Sequence, residues 1–160
     1  MSISNVVDEV NLKLHDNKVT EVEKPNILIA GCGTGQHSIG TAVKFKNSGR
    51  KTSSRSYAER ALSFQPSMGK AYILIANLYA SSANACGDSQ FNKRAVYWLA
   101  AQTAQKAGRV DASIRKTANN FVASYNGRAP SKTDIFTEGN QGQTVRFSCW
   151  IARSVKVPNL

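Results

Sequence analysis

The sequence predicts a mainly α-helical protein, built of antiparallel helix pairs, closed by a short C-terminal β-hairpin and preceded by an N-terminal βα segment. The longest helical periodicity runs from Pro66 to Val110. It puts Ala71, Tyr72, Ile75, Leu78 and Tyr79 on one stripe and Phe91, Ala95, Trp98 and Leu99 on another. Gly87 and Asp88 break the pattern between the two runs. Neither amphipathic helix can bury its stripe alone, so a short polar turn folds one against the other as an antiparallel pair. Near the end the period changes: Val145, Phe147, Cys149 and Ile151 alternate with Arg146, Ser148 and Trp150, a strand pattern for which Val155 and Val157 supply a partner.

A chain of 160 residues, 41% of them hydrophobic, is long enough for one domain with a real core or for a domain plus an appendage. The composition shifts suggest residues 1–52 as a βα segment with a basic linker, 53–128 as the helical domain, and 129–160 as a loop and hairpin packed on the helices. The formal charge of +11, from 21 basic and 10 acidic side chains, favours acidic partners or phosphates and says nothing about fold. No apolar run approaches the roughly 20 residues needed to span a bilayer. The first residues, MSISNVVDEVNLKLHDNK, lack the basic head and apolar core of a signal peptide, so the expected location is cytoplasmic. Cys32, Cys86 and Cys149 show no CxxC pairing or histidine spacing, and no metal site is expected.

Taken in order, Val6 to Leu14 fits neither helical nor strand period, and Lys24-Pro25 makes a boundary because proline disfavours helix in the residue before it. The apolar run Ile27 to Ala30 then ends in Gly31-Cys32-Gly33-Thr34-Gly35 and passes into a helical pattern with Ile39, Val43 and Phe45. This strand, glycine turn and helix, LIAGCGTGQHSI, resembles the first motif of class I methyltransferases that use S-adenosylmethionine. The resemblance implies that Gly31, Gly33 and Gly35 let the backbone approach the cofactor, with helix N–H groups facing it. His37 would be a polar contact beside it. Such a site also needs a second strand ending in an acid about 20 residues on. The stretch NSGRKTSSRSYAER offers no apolar strand and no acid before Glu59. The favoured reading is therefore a structural appendage in which Gly31 to Gly35 make a tight turn.

Lys44, Lys46, Arg50, Lys51, Arg55 and Arg60 make a basic junction, read either as a solvated linker or as a contact for nucleic-acid phosphates. Ser56 and Glu59 stand at capping-box spacing and predict a short helix from Ser56 to Phe64. The second helix of the central pair should stop near Gly108, a residue suited to a left-handed cap. A third helix follows, capped by Asp111, with Ile114, Ala118, Phe121, Val122 and Tyr125 as its stripe and Asn126-Gly127 at its end. Glu138 to Gly142 reads as a glycine-rich turn before the tail strands. Trp150, outward on its strand, is either an interaction anchor or a residue resting on the third helix.

Tyr72, Ile75, Ala76, Tyr79, Ala100 and Ala107, followed by Val110-Asp111, resemble a tetratricopeptide repeat, with Ala61 to Pro66 similar to the end of a preceding one. The spacing from Pro66 to Asp111 exceeds the usual repeat of about 34 residues, so an insertion is implied. More specifically, residues from about Ser56 to Ile151 resemble a C-terminal tetratricopeptide module of Bacteroidetes proteins, through GKAYILIANLYASSANACGD, FNKRAVYWLAA and Cys149-Trp150-Ile151. That resemblance implies a groove for a peptide or partner helix, lined by Lys70, Ile73, Asn77, Ala80 and Ser81. It also implies that Cys86 and Cys149 are placed to tie the C-terminal strand to the helix turn. A disulfide there would suit a periplasmic protein, and two buried reduced thiols a cytoplasmic one.

No residue set reads as catalytic machinery. The leading expectation is therefore a non-enzymatic interaction or scaffold module with a protein or peptide partner. An S-adenosylmethionine-binding methyltransferase or its remnant is the second, and phosphate binding through the basic junction the third.

Overall fold

The computed structural model describes residues 35–160. The expected strand at Ile27 to Ala30, the glycines Gly31 and Gly33, Cys32, and the stretch Val6 to Leu14 lie outside the described residues. Within them the protein is mainly helical: α1 (Gly35–Asn47), α2 (Lys51–Phe64), α3 (Gly69–Ala80), α4 (Gln90–Val110), α5 (Arg115–Asn126) and α6 (Lys132–Glu138), then β1 (Thr144–Arg146) and β2 (Ser154–Lys156). Single 3-10 turns, Ala83–Ala85 and Ala112–Ile114, lead into α4 and α5.

Close approaches at helix ends show that the pairs run antiparallel. A Cβ added to Gly35, at the start of α1, would lie 3.0 Å from the Ala61 carbonyl oxygen near the end of α2. One added to Gly69, at the start of α3, would lie 2.7 Å from Asp111 Cβ, just past the end of α4. Between α1 and α2, Phe45 stacks on Tyr57 with centroids 5.3 Å apart, and the buried Ser54 hydroxyl donates to the Ala42 carbonyl at 2.7 Å. Ala42, Phe45, Tyr57 and Ala58 belong to the same core as the central pair, so α1 is part of the helical body.

Two helix boundaries differ from expectation. The second helix begins at Lys51, and Ser56 lies inside it with no capping role. Tertiary contacts extend it upstream: Lys51 Nζ donates to the Ser81 carbonyl at 2.9 Å and to Ser82 Oγ at 3.0 Å, and Ser54 is sealed against α1. The basic junction is thus a helical hairpin, not a linker. Gly108 is not a cap; α4 continues to Val110, and Asp111 closes it in an extended conformation, donating its N–H to the Ala107 carbonyl. Gly108 is buried, and a Cβ there would come 3.1 Å from Ala118 Cβ, so its role is close packing of α4 on α5.

Within residues 129–138, expected as part of a loop, lies the helix α6. Ser131 and Asp134 form a capping box at the start of α6, and Gly139, with φ of 63°, ends it. Arg94 of α4 fastens this segment. Its Nη1 meets Asp134 Oδ2 at 2.8 Å, its Nη2 donates to the Ala129 carbonyl at 2.8 Å, and its Nε donates to the Arg128 carbonyl at 3.2 Å.

The C-terminal strands pair antiparallel with Val145 opposite Val155. The first strand ends at Arg146, earlier than its alternation suggests, because the chain turns inward. Ile151 is 0% exposed, and Cys149 is bonded to Cys86 beside α4. Trp150, expected either as an exposed anchor or on the helix after Asp111, packs on α3 instead. It lies against Tyr79 of α3 with centroids 6.1 Å apart, and its Nε1 donates to Ser82 Oγ at 3.1 Å. The Arg55 guanidinium stands over its ring at 5.3 Å, and Arg55 Nη1 donates to the Ile151 carbonyl at 2.6 Å.

Two outcomes follow from these tethers. The Cys86–Cys149 bond joins residues 63 apart in sequence. Loop-closure entropy then predicts that Cys86→Ser with Cys149→Ser lowers unfolding free energy by about 4 kcal/mol in urea titration. Hydrogen bonds from the Ser131 backbone, then its side chain, then Arg94 hold the Asp134 carboxyl below its ordinary value. Its contribution is complete above the unfolded value and is lost as pH falls through the lower folded one. Between pH 5 and pH 2 the melting temperature should therefore fall further in the wild type than in Asp134→Asn.

Candidate binding groove

Helical spacing brings one face each of α2, α3 and α4 to a common groove. Tyr72, Ile75 and Tyr79 recur at three and four residues along α3, and Leu99, Thr103 and Lys106 do so along α4. Glu59 and Leu62 supply the wall from α2, and Gln102 adds an amide. The groove encloses about 410 Å³ and opens to solvent. Its floor is apolar and aromatic, since Ile75 and Tyr79 are buried while Tyr72, Leu62 and Leu99 are half-buried.

Polar groups stand at its two ends. At one, Lys106 Nζ lies 5.0 Å over the Tyr72 ring, a cation held against an aromatic face. Thr103 faces inward with its hydroxyl donating to the Leu99 carbonyl at 2.8 Å. At the other end Glu59 Oε1 lies 3.3 Å from Arg153 Nη2 and 3.7 Å from Arg55 Nε. A hydrogen bond to the Tyr79 hydroxyl first, and Glu59 after it, raise the Arg153 guanidinium above its already high value. The groove's carboxylate is therefore matched by two guanidinium groups, and the turn carrying Arg153 and Trp150 bounds that end.

The groove residues named from the sequence sit elsewhere. Lys70 is exposed in the first turn of α3. Ile73 and Ala80 are half-buried and pack against the core. Asn77 Oδ1 accepts a 2.7 Å hydrogen bond from the Tyr125 hydroxyl of α5. Ser81 donates its hydroxyl to the Leu78 carbonyl at 3.0 Å, and its own carbonyl holds Lys51. None of the five is among the residues lining the groove. The sequence stripe with Tyr72, Ile75 and Tyr79 did mark the groove face, but it read there as core.

Of the glycines expected at a cofactor, Gly35 is the one among the described residues. It is buried at the start of α1, where a Cβ would come 3.0 Å from both the Ala61 carbonyl and Met68 Cε. Protein packing alone accounts for a glycine at that position. Among the described residues no cluster of three His, Cys, Asp or Glu side chains is placed to hold a metal ion, and no helix is long and apolar enough to cross a membrane. Compared with protein families, curated proteins and solved structures, the chain matches none.

Tyr125 gives a pH-dependent test of the α3–α5 contact. Burial, the largest influence, pushes its hydroxyl up to about 12. The folded state favours the neutral phenol, so this stabilisation is whole below the unfolded value near 10 and is lost as pH rises towards the folded one. Tyr125→Phe should cost about 1 kcal/mol at neutral pH. It should also flatten the fall in denaturation midpoint between pH 10 and pH 12.

Proposed function

We propose that this chain is a non-enzymatic helical-repeat module that binds an extended peptide or a partner helix in the groove between α2, α3 and α4. One observation carries the reading: an open groove of about 410 Å³ whose lining side chains all stand on α2, α3 and α4. Regular helices hold such a surface rigidly, and a rigid aromatic surface binds with little loss of side-chain freedom. A groove of this kind suits apolar anchor side chains spaced along a peptide, with main-chain groups meeting Gln102 and the groove ends. The likeness of Tyr72, Ile75, Ala76 and Tyr79 to a tetratricopeptide repeat supports the same reading, though the floor takes a different face of α3 from the one the repeat pattern implies.

The test is selection of binders from a displayed library of short peptides, followed by calorimetry on individual sequences. Tyr72→Ala should weaken a selected peptide at least tenfold, the equivalent of about 1.4 kcal/mol. The pair Lys70→Ala and Asn77→Ala should leave its affinity unchanged. Equal losses from both variants, or selected peptides indifferent to Tyr72→Ala, would place binding outside this groove.

A further inference from the structure

Residues 35–160 carry a larger charge excess than the chain as a whole. Their acidic side chains are Glu59, Asp88, Asp111, Asp134 and Glu138, set against eighteen lysines and arginines. Glu59 and Asp134 are already paired with arginines. Several cations of the α1–α2 junction are used internally: Lys51 on Ser81 and Ser82, Arg55 on Ile151 and Trp150, and Arg50 over the Phe45 ring at 4.8 Å. That engagement weakens the junction as a phosphate site.

The opposite end of the bundle differs. The start of α3, the end of α4 and the start of α5 meet there, as the contacts of Gly69 with Asp111 and Ile114 and of Gly108 with Arg115 and Ala118 show. They bring Lys70, Lys106, Arg109, Arg115 and Lys116 to one end of the bundle, all exposed. Lys106 and Arg109 are three residues apart on α4 and share a face. Arg115 is steadied by a 3.4 Å bond from its Nε to the Gly108 carbonyl. The carboxylate in their midst is Asp111, whose oxygens accept from the Ser113 N–H and hydroxyl and from the Gly69 N–H; it also attracts Lys70 and offsets part of that cation's charge.

We infer that this end of the bundle, through Lys70, Lys106, Arg109, Arg115 and Lys116, binds the sugar-phosphate backbone of double-stranded nucleic acid without reading its sequence. Five exposed cations from three helices spread over one end of the bundle match a rigid polyanion of regularly spaced charge better than a single inserted side chain. Membrane insertion is disfavoured because Val43, Phe136 and Leu160 belong to other segments, and Phe64, which ends α2 just before α3, is a single large exposed apolar side chain beside five cations. Tyr72, the ring beside these cations, is half-buried under Lys106, which leaves no stacking platform for unpaired bases.

The measurement is fluorescence anisotropy of a labelled 16-base-pair DNA duplex titrated with the protein at a series of salt concentrations. Binding should weaken with salt, with a log–log slope of about −3 to −4.5, as expected for release of counterions at up to five phosphates. Replacing all five cations with glutamine should lower affinity at least tenfold at low salt and reduce that slope. A control variant carries the same charge change elsewhere, with Lys44, Lys46, Lys132, Arg146 and Lys156 replaced by glutamine, and should lose less than threefold. Circular dichroism checks that both remain helical. Should the fivefold variant fail to fold, Lys70→Gln with Arg109→Gln, both exposed, should still weaken binding severalfold. Equal losses in test and control variants, no binding at 50 mM salt, or tighter binding to phosphatidylserine vesicles or polyglutamate than to the duplex would each overturn the assignment.

Discussion

The close seating of α4 between α3 and α5 is the constraint on which the rest of the structure depends. Ala95, Ala100, Ala104 and Ala107 are all 0% exposed, and Gly108 continues the seam at the end of the helix. Small side chains set a short distance between helix axes, so neighbours from both sides reach the same helix. Larger side chains then fill the margins of that seam: Phe91 meets Trp98 edge-on at 5.9 Å, and Phe121 stacks with Tyr125 at the same separation. Alanine adds little transfer free energy of its own. Its contribution here is permissive: with α4 seated this closely, Leu74, Ile75, Leu78 and Tyr79 of α3 are at most 5% exposed.

The C-terminal arm depends on that scaffold and returns something to it. Three-residue strands form a hairpin too small to persist alone in water. It is held by Ile151 in the core, by the bond from Cys149 to Cys86, and by Trp150 against Tyr79 and Ser82. The same turn delivers Arg153 to Glu59 and Tyr79, where it bounds the groove. A covalent tether and a groove boundary thus come from one short excursion of the chain, and the groove's outline is tied to the fold of residues remote from it in sequence.

Which face of α3 meets solvent is set by its neighbours and not by its own period. Lys70, Ile73, Asn77, Ala80 and Ser81 form a face with a polar character that suits a groove, whereas Tyr72, Ile75 and Tyr79 form one that suits a core. The fold reverses part of that assignment. Tyr125 of α5 reaches Asn77, and Ile73 and Ala80 join the core, which covers much of the polar-looking face. On the other side α2 and α4 diverge enough to leave Tyr72 half open. Periodicity measures amphipathicity about one helix axis and carries no term for how far apart two neighbours stand.

The helical hairpins, the third helix after Asp111 and the strand character of Val145 and Val155 were legible in the sequence, because they arise from local period. Asp111, expected as that helix's cap, caps the 3-10 turn Ala112–Ile114 instead, and α5 starts after Ile114 with no side-chain cap. The sequence also held the signal for α6, in Ser131 and Asp134 three residues apart followed by Ile135 and a terminal Gly139, which went unread among the neighbouring turn residues. Only the tertiary structure decided that α2 starts at Lys51, that Gly108 is a contact and not a cap, and that Trp150 lies on α3. Each of these rests on a partner distant in sequence: Ser81 for Lys51, Ala118 for Gly108, Tyr79 and Ser82 for Trp150. Local pattern sets which surfaces a segment wants to bury; the choice of what they are buried against is made when the segments compete for the same space.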